Sequence, residues 1–424
     1  MRSALAPRLA AVILAWAASA PADTVVIENV RILPVASAPI ERGRILVRGE
    51  RIEAVGAAAA APADATRIDG SGLTASPGFI DTFTQIGLVE IAQVPAANDG
   101  DEASDPVTPQ VRASDAYFLD SDLIPVVRAA GTVALLSAPG PSNVIAGQSA
   151  LMRTAGETVE EAALRDVAAL HLNLGEGPKR AYGERGRGPV TRMATAALVR
   201  QAFAQAREYA AKRGPAGRGP VDPRLEPLAA AMAGRIPVVV RAERRADILQ
   251  GLELAREFGF NMILAGGSDA PQVAAELARR KVPVLIAIDQ QPDGIETAGA
   301  RYENAALLQA AGVKIAFQSN EVTLARNLVP NVGLAVAYGL PPEAALRALT
   351  LSAAEIFGVA DRIGSLEAGK EATFVLTRGD PLQVRSTVVS TFVRGRRYLP
   401  RSYQTLLCET YIKPKGKGIA CESQ

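Results

Sequence analysis

Short apolar runs alternate with longer amphipathic stretches through the middle of the chain, and few folds accommodate that alternation. The longer stretches, 193–212, 246–258 and 270–280, carry apolar residues at helical spacing, and Thr191 is placed to cap the first of them. The shorter runs have the composition of strands and lie at 132–136, 236–240, 261–264, 282–287 and 313–317. This order predicts βα units around a parallel sheet, with the chemistry at the carboxyl ends of its strands.

Both ends of the chain carry β-strand patterns instead. Residues 24–33 and 44–56 are rich in alternating β-branched positions, and a Gly49–Glu50 turn divides the second stretch. Further strands are predicted at 66–69 and 387–398. A parallel α/β unit is therefore expected between two β-rich ends.

Two motifs resemble a known family. Residues 77–87 read PGFIDTFTQIG, which resembles the first barrel strand of the amidohydrolase superfamily, imidazolonepropionase-like branch, PGxIDxHxHxG. Residues 364–376 read GSLEAGKEATFVL, which resembles the family segment GSLExGKxADLV that leads from the barrel back to an N-terminal β-sandwich. The resemblance implies an α/β fold, a (β/α)8 TIM-like barrel with a small β-sandwich domain formed by both chain ends.

The resemblance and the pattern of the N-terminus together predict a division into segments. These are a signal peptide at 1–20, the first part of the β-sandwich at 21–76, the barrel at 77–350, the second part with its return helix at 351–399, and a tail at 400–424.

The family's metal ligands are missing from the matching positions. The family binds its catalytic metal through histidines and an aspartate at strand ends; those positions fall here on Phe83, Gln85, Arg241 or Glu243, Gly266 and Asn320. His171 is the only histidine in the sequence, so no multi-histidine site can be rebuilt elsewhere. Phe and Gly offer no ligand atom, and Asn and Gln are weak neutral donors. We therefore predict no metal, no cofactor and no ordinary metal-dependent mechanism.

Other groups remain as candidates for chemistry at the strand ends. The catalytic candidates are Asp81, Glu243, His171 and Asp269, because paired carboxylates with separated pKa values can perform acid–base catalysis. Asp81 is read equally well as a hydrogen-bonding residue of the barrel, and a lone His beside leucines is more often structural. The candidates for binding a ligand are Phe83, Gln85, Arg241, Asn143, Gln148 and Asn320.

Three loops are predicted around these strand ends. The acidic run 98–105 lacks the spacing of a calcium loop and is expected to be a solvated loop. The Gly-rich run 140–150 either offers backbone N–H groups to an anion or simply needs glycine for turning. The basic stretch 179–192 is expected to be a solvated loop, with an electrostatic funnel for an acidic ligand as the alternative.

The N-terminus predicts export. Arg2 and Arg8 precede the apolar run 9–18, which ends at the small residues 18–20, a pattern typical of a secretory signal peptide cleaved near Ala20. We expect a secreted or periplasmic protein with no membrane span after cleavage. In an oxidising compartment, a disulfide between Cys408 and Cys421 is the better interpretation of the two cysteines.

Composition narrows the class of partner. Lys and Arg total 46 against 44 for Asp and Glu, and aromatic residues make up 4% of the sequence, so neither a basic surface nor stacking platforms for nucleic acid are indicated. The expected partners are a small-molecule ligand, a second copy of the chain or a paralogous amidohydrolase.

By resemblance the protein is nominally an exported hydrolase of non-peptide C–N bonds, but the replaced metal ligands predict altered or absent catalysis. Three hypotheses stay open: a metal-independent hydrolase that uses carboxylates at the barrel mouth, a small-molecule-binding protein, and a scaffold pseudoenzyme paired with an active paralogue. The sequence favours the two non-catalytic ones.

Overall fold

The computed structural model describes residues 24–412 except for 58, 103, 215–218, 289–291 and 293. The predicted signal peptide and Cys421 lie outside the described residues. The signal peptide and the disulfide between Cys408 and Cys421 therefore stay predictions. Within the described residues, no helix is both long enough and apolar enough to cross a bilayer.

Strands account for both ends of the chain and for its central barrel. They are β1 (Thr24–Ile32), β2 (Ile40–Arg48), β3 (Arg51–Gly56), β4 (Thr66–Asp69), β5 (Leu73–Pro77), β6 (Phe79–Thr84), β7 (Thr132–Ser137), β8 (Ile145–Arg153), β9 (Ala163–Asn173), β10 (Val238–Ala242), β11 (Met262–Gly266), β12 (Val284–Ile286), β13 (Ile315–Phe317), β14 (Phe374–Arg378), β15 (Thr387–Val393) and β16 (Arg396–Tyr398).

Helices cover the outside of the barrel and end the described chain. They are α1 (Leu123–Ala129), α2 (Val159–Ala162), α3 (Glu176–Gly183), α4 (Arg192–Arg213), α5 (Glu226–Met232), α6 (Arg245–Phe258), α7 (Ala274–Arg279), α8 (Asn304–Ala310), α9 (Leu328–Ala337), α10 (Pro342–Leu349), α11 (Leu351–Ile356) and α12 (Tyr403–Tyr411). Thr191 caps α4 as predicted, since its Oγ1 accepts a hydrogen bond from the N–H of Ala194 at 3.1 Å.

The two chain ends share one sheet, which we call the end sheet. Its strands follow the order β16, β15, β14, β5, β1, β2, β3, and β4 pairs with β1. Strands β14 and β5 are antiparallel neighbours, with Phe374 opposite Pro77. The C-terminal strands therefore attach directly to the strand that leads into β6.

Strands β6 to β13 form the barrel sheet in sequence order. Its interior contains small and branched side chains, among them Val239, Ile263, Ala265, Leu285 and Ala316. Side chains on the opposite face of the same strands pack against the helices, so the strands are buried on both faces. This explains why the predicted strands appeared in the sequence as continuous apolar runs.

The barrel nearly closes on itself. Thr82 Oγ1 donates to the carbonyl oxygen of Phe317 at 2.8 Å, and the N–H of Asn320 donates to the carbonyl of Phe83 at 3.0 Å. These contacts join the first barrel strand to the last, a junction that we call the seam. The predicted α/β fold with a TIM-like barrel and a β-sheet domain from both chain ends is confirmed.

One strand departs from the parallel pattern. Strand β8 runs antiparallel to both β7 and β9. The run 140–150, predicted as a loop, therefore provides the first six residues of a buried nine-residue strand. The basic stretch 179–192, predicted as a loop, begins inside α3.

Candidate functional site

Four side chains from distant parts of the sequence meet at the barrel mouth, the end at which β6, β9, β10 and β13 terminate. We call Phe83, His171, Arg241 and Asn320 the mouth cluster. Three of them lie within the last three residues of a barrel strand and Asn320 follows one, and the barrel brings together positions that are up to 237 residues apart. All four were singled out from the sequence, so closure of the barrel is what turns them into one candidate site.

The mouth cluster is built around the guanidinium of Arg241. Arg241 Nη1 donates to Asn320 Oδ1 at 2.8 Å, and Arg241 Cζ lies 5.5 Å from the centroid of the Phe83 ring. The Phe83 ring lies 5.6 Å, centroid to centroid, from the imidazole of His171. A cation therefore lies at the centre of the cluster, flanked by an aromatic face and a neutral amide.

Arg241 and Asn320 are half-buried, whereas Phe83 and His171 are 3% and 2% exposed. No carboxylate of the described residues lies within 4.0 Å of the Arg241 guanidinium. The carboxylate of Asp101 interacts electrostatically with Arg241 but lies beyond that distance, so the guanidinium has no direct ion pair among the described residues.

His171 is neutral at physiological pH. Burial, together with the charge of Arg241, lowers the pKa of its imidazole to about 3. Its Nε2 is buried and has no hydrogen-bond partner within the described part of the chain. A neutral imidazole with an unsatisfied nitrogen can accept or donate a hydrogen bond, but it cannot serve as a charged general acid.

Asp81 lies at the seam and is 2% exposed. Its Oδ1 accepts hydrogen bonds from the N–H of Ser319 at 2.9 Å and from the N–H of Phe83 at 3.2 Å. The carboxylate thus holds β6 to the segment after β13. This geometry favours the structural interpretation of Asp81, and its catalytic role stays a prediction.

Glu243 occupies the space beside Gly266. Its Oε2 accepts hydrogen bonds from the N–H and the Oγ of Ser268 at 3.0 and 2.7 Å. A Cβ added to Gly266 would lie 2.1 Å from Glu243 Oε1. The carboxylate therefore fills the place that a side chain at position 266 would need.

Asp269 is engaged with neighbouring backbone and side-chain groups. Its Oδ2 accepts a hydrogen bond from the N–H of Arg245, and its Oδ1 accepts one from Gln272 Nε2. The structure does not bring Asp269 and Glu243 into the mouth cluster as a free carboxylate pair.

Asn143, Gln148 and Gln85 lie outside the mouth cluster. Asn143 donates to Thr108 Oγ1 at 2.8 Å, and Gln148 donates to the carbonyl of Pro109 at 2.9 Å. Both amides anchor the segment before α1 against the barrel. Gln85 packs beside Gly100 of the same segment. Their roles in ligand binding stay predictions.

Two polar groups at the mouth were missed from the sequence as site residues. Gln318 follows β13 and is 3% exposed, and its Oε1 has no hydrogen-bond partner among the described residues. Because side chains alternate along a strand, Gln318 faces the same side as Ala316, which lies inside the barrel. Its spacing of two residues from Asn320 was the available signal.

Asp101 is the second missed group, since the acidic run was interpreted as solvated. Its Oδ1 accepts a hydrogen bond from the N–H of Ser142 at 3.0 Å. Partial desolvation raises the pKa of Asp101, although the hydrogen bond from Ser142 and the charges of Arg241 and Arg185 oppose that change.

A network of charged side chains links the segments that follow three of the barrel strands. Arg192 donates to Asp247 Oδ1, Glu176 Oε1 and Glu296 Oε2 at 2.9, 2.8 and 3.1 Å. Burial raises the pKa of Glu296, and the charges of Asp247 and Glu176 act in the same direction, whereas the hydrogen bond from the backbone N–H of Glu176 and the charge of Arg192 oppose them. The network ties the start of α4 to the segments after β9, β10 and β12.

The mouth cluster is a poor match for a divalent metal. Phe83 has no lone pair to give, Asn320 is a weak neutral donor, and the Arg241 guanidinium repels cations. Across the residues the structure describes, no group of three or more His, Cys, Asp or Glu side chains is placed to hold a metal ion.

Comparison with known proteins identifies the family. The amidohydrolase family model matches residues 244–398. The crystal structure of an amidohydrolase from Thermotoga maritima MSB8 superposes with a TM-score of 0.85 at 32% sequence identity, covering 89% of this chain and 100% of that one.

Two curated proteins are also similar in sequence to this chain. The amidohydrolase tasK of Hapsidospora irregularis is 27% identical over 386 residues, which cover 84% of this chain but 39% of tasK. An imidazolonepropionase of Erwinia tasmaniensis is 50% identical over 52 residues, 12% of this chain and 13% of that protein. This chain therefore spans well under half the length of tasK. Its identity to the Thermotoga protein over that whole chain shows that it belongs to the amidohydrolase family.

Proposed function

We propose that this amidohydrolase binds a small molecule at its barrel mouth and does not perform metal-dependent hydrolysis. The observation that carries the proposal is the position of Arg241, whose guanidinium hydrogen-bonds to Asn320 and lies over Phe83. Phe83, Arg241 and Asn320 are positions at which the sequence resemblance expects metal ligands. A fixed organic cation thus takes the place expected for a metal ion.

Electrostatics supports this proposal. A dication about 4 Å from a guanidinium is repelled by about 8 kcal/mol at an effective dielectric constant near 20. Three or four strong ligands are needed to overcome such repulsion, and the mouth cluster supplies one, the neutral imidazole of His171. We therefore include in the proposal that the metal site is lost, because replacements at several positions act together against metal binding.

The remaining acid–base candidates do not favour a metal-independent hydrolase. The carboxylates of Asp81, Glu243 and Asp269 each accept a hydrogen bond from a backbone N–H group, so their oxygens already hold neighbouring chain segments in place. A general acid needs a raised pKa, and a pair needs two carboxylates with separated pKa values. The geometry of these three supports structural roles.

Metal content and turnover test the proposal together. Protein purified without chelator is analysed by inductively coupled plasma mass spectrometry and assayed against a lactam, a hydantoin and a dipeptide. We expect substoichiometric metal and no turnover. One zinc or iron per chain with turnover would overturn the proposal.

A matched pair of variants separates the hydrolase alternatives. Turnover without metal that is lost in Asp81→Asn and kept in Asp115→Asn, an exposed carboxylate, would establish the metal-independent hydrolase instead. Equal turnover in both variants would point to catalytic groups other than Asp81.

Export is a separate part of the proposal, and it rests on the sequence of residues 1–20. The mature protein is expected in the periplasmic or secreted fraction, beginning near Pro21. N-terminal sequencing of the protein from that fraction tests this, and an intact Met1 in the purified protein would contradict it.

A further inference from the structure

We infer that the ligand of the barrel mouth is a small monocarboxylate that also carries an N–H group, with its carboxylate paired to Arg241. This inference rests on the proposed function and names the chemical class of the ligand. It follows from what the mouth cluster leaves unsatisfied, and each unsatisfied group specifies one feature of the ligand.

The first feature is a negative charge. Arg241 is half-buried and has no carboxylate within 4.0 Å among the described residues. Elsewhere in the barrel, the buried Arg153 is paired with Glu371, whose oxygens lie 2.7 and 3.1 Å from its guanidinium nitrogens. The protein therefore pairs Arg153 directly, whereas the half-buried Arg241 has only the more distant charge of Asp101, which leaves its guanidinium available to a carboxylate of the ligand.

The second feature is a planar, two-oxygen acceptor. Arg241 Nη1 is used by Asn320, which leaves the edge formed by Nε and Nη2 without a partner within the described residues. That edge matches the two oxygens of a carboxylate in a bidentate pair. One guanidinium balances one negative charge, which favours a monocarboxylate over a phosphate dianion.

The third feature is a hydrogen-bond donor. Gln318 Oε1 is buried and has no partner in the described part of the chain, and it faces the barrel interior. Leaving a buried acceptor unsatisfied costs about 1–3 kcal/mol, which a donor on the ligand recovers. An N–H beside the carboxylate supplies that donor.

His171 selects for polarity without adding charge. Its Nε2 is also buried and unpartnered among the described residues, and the lowered pKa, about 3, keeps the ring neutral. The imidazole therefore offers a hydrogen bond to the body of the ligand and does not compete with Arg241 for the carboxylate.

Three matched probes separate these features. N-acetylglycine carries the carboxylate and the N–H, N-acetylglycinamide lacks the charge, and N-acetylsarcosine keeps the charge but replaces the N–H by N-methyl. We expect N-acetylglycine to bind most tightly in isothermal titration calorimetry. Loss of the charged hydrogen bonds should weaken N-acetylglycinamide by about 10- to 100-fold, and loss of the N–H should weaken N-acetylsarcosine by about 3- to 10-fold.

Variants assign the effect to the mouth. Arg241→Met should abolish the preference for N-acetylglycine over N-acetylglycinamide, and Arg241→Lys, which keeps the charge, should weaken N-acetylglycine because the planar fork is lost. Arg200→Met, which removes an exposed arginine paired with Glu257 outside the mouth, is the control and should bind like the wild type.

The outcomes distinguish this inference from the proposed function. Equal binding of N-acetylglycine and N-acetylglycinamide, unchanged binding in Arg241→Lys, or no binding of N-acetylglycine at millimolar concentration would overturn the carboxylate ligand while the metal-free mouth stands. Stoichiometric metal with hydrolysis of the probes would overturn both.

Discussion

Arg241 Nη1 and Asn320 Oδ1 lie 2.8 Å apart, so a guanidinium faces a neutral amide across the barrel mouth. Asn320 adopts a left-handed backbone conformation with φ 53, which Asn, Asp and Gly tolerate better than other residues. Its N–H is fixed to the carbonyl of Phe83 at 3.0 Å. The partner of Arg241 is thus held rigidly and carries no charge.

Replacing that amide by a carboxylate should close the site to anions. In Asn320→Asp the new carboxylate would pair with Arg241, and the affinity for N-acetylglycine should fall by at least about 10-fold because the charge of Arg241 is already balanced. Asn261→Asp adds the same charge at an exposed position outside the mouth cluster, so it serves as the control and should bind like the wild type. Calorimetry that shows equal affinity in both variants would contradict the pairing.

The titration of His171 should be visible by NMR in its Cε1–H resonance, which has no counterpart from another histidine because the sequence contains one. The pKa of about 3 in the folded protein lies below the ordinary value of 6.5. The resonance should therefore stay in its neutral position on acidification from pH 7 to 5. A midpoint near 6.5 would contradict the buried, neutral ring.

The difference between the pKa of His171 in the folded protein and its ordinary value makes the free energy of unfolding depend on pH. Between pH 6.5 and about 3 the unfolded chain binds a proton at His171 that the folded chain does not, so the free energy of unfolding falls with decreasing pH. The slope from this residue approaches about 1.4 kcal/mol per pH unit. Urea unfolding at several pH values should show a shallower dependence in His171→Gln than in the wild type.

Gly266 should tolerate a side chain less well than another glycine with a similar φ angle. Gly266 has φ +83 and Glu243 beside it, whereas Gly312 has φ +79 and open space. Gly312→Ala should cost about 1–2 kcal/mol of unfolding free energy for the backbone alone. Gly266→Ala should cost about 1–3 kcal/mol more because of the contact with Glu243. Equal losses in urea unfolding would show that the carboxylate moves aside freely.

Glu371→Gln should destabilise the protein by about 3–5 kcal/mol, because it leaves the buried Arg153 without its counter-charge. Burial raises the pKa of Glu371, but the hydrogen bonds and charges of Arg153 and Arg362 lower it by more, so the pKa is lower than usual. This contribution is therefore present at neutral pH and is lost as the pH falls through the lowered pKa. Glu53→Gln, in an exposed pair with Arg48, is the control and should shift the urea midpoint far less, because water and salt screen that pair. Similar shifts of the two urea midpoints would contradict the burial argument.

The sequence predicted the fold well where strands are buried on both faces. The runs at 236–240 and 261–264 overlap β10 and β11, because a strand covered on both sides must be apolar throughout. Strand β8 was missed for a physical reason. It contains Gly147, Gln148 and Ser149, whose composition is typical of a loop, and its antiparallel pairing with β7 and β9 outweighs that composition.

The candidate site was predicted in part. Arg241 and Asn320 could be named because strand ends mark the barrel mouth, but their 2.8 Å contact depends on pairings across the whole barrel. The position of Asp81 at the seam was equally invisible, since its partner Ser319 lies 238 residues away. Local patterns report which side chains reach the mouth and not which of them meet.

The reversed strand β8 has a consequence for the order in which the barrel assembles. Strands β7, β8 and β9 pair with their neighbours in sequence, whereas the seam joins residues 238 apart. Since contacts between nearby residues close small loops and form quickly, we expect this antiparallel meander to form first and the seam to close last. Pulsed hydrogen exchange during refolding should therefore protect β8 before β13. Until the seam closes, β6 and β13 remain open edges through which chains can associate, so slow closure would appear as aggregation during refolding.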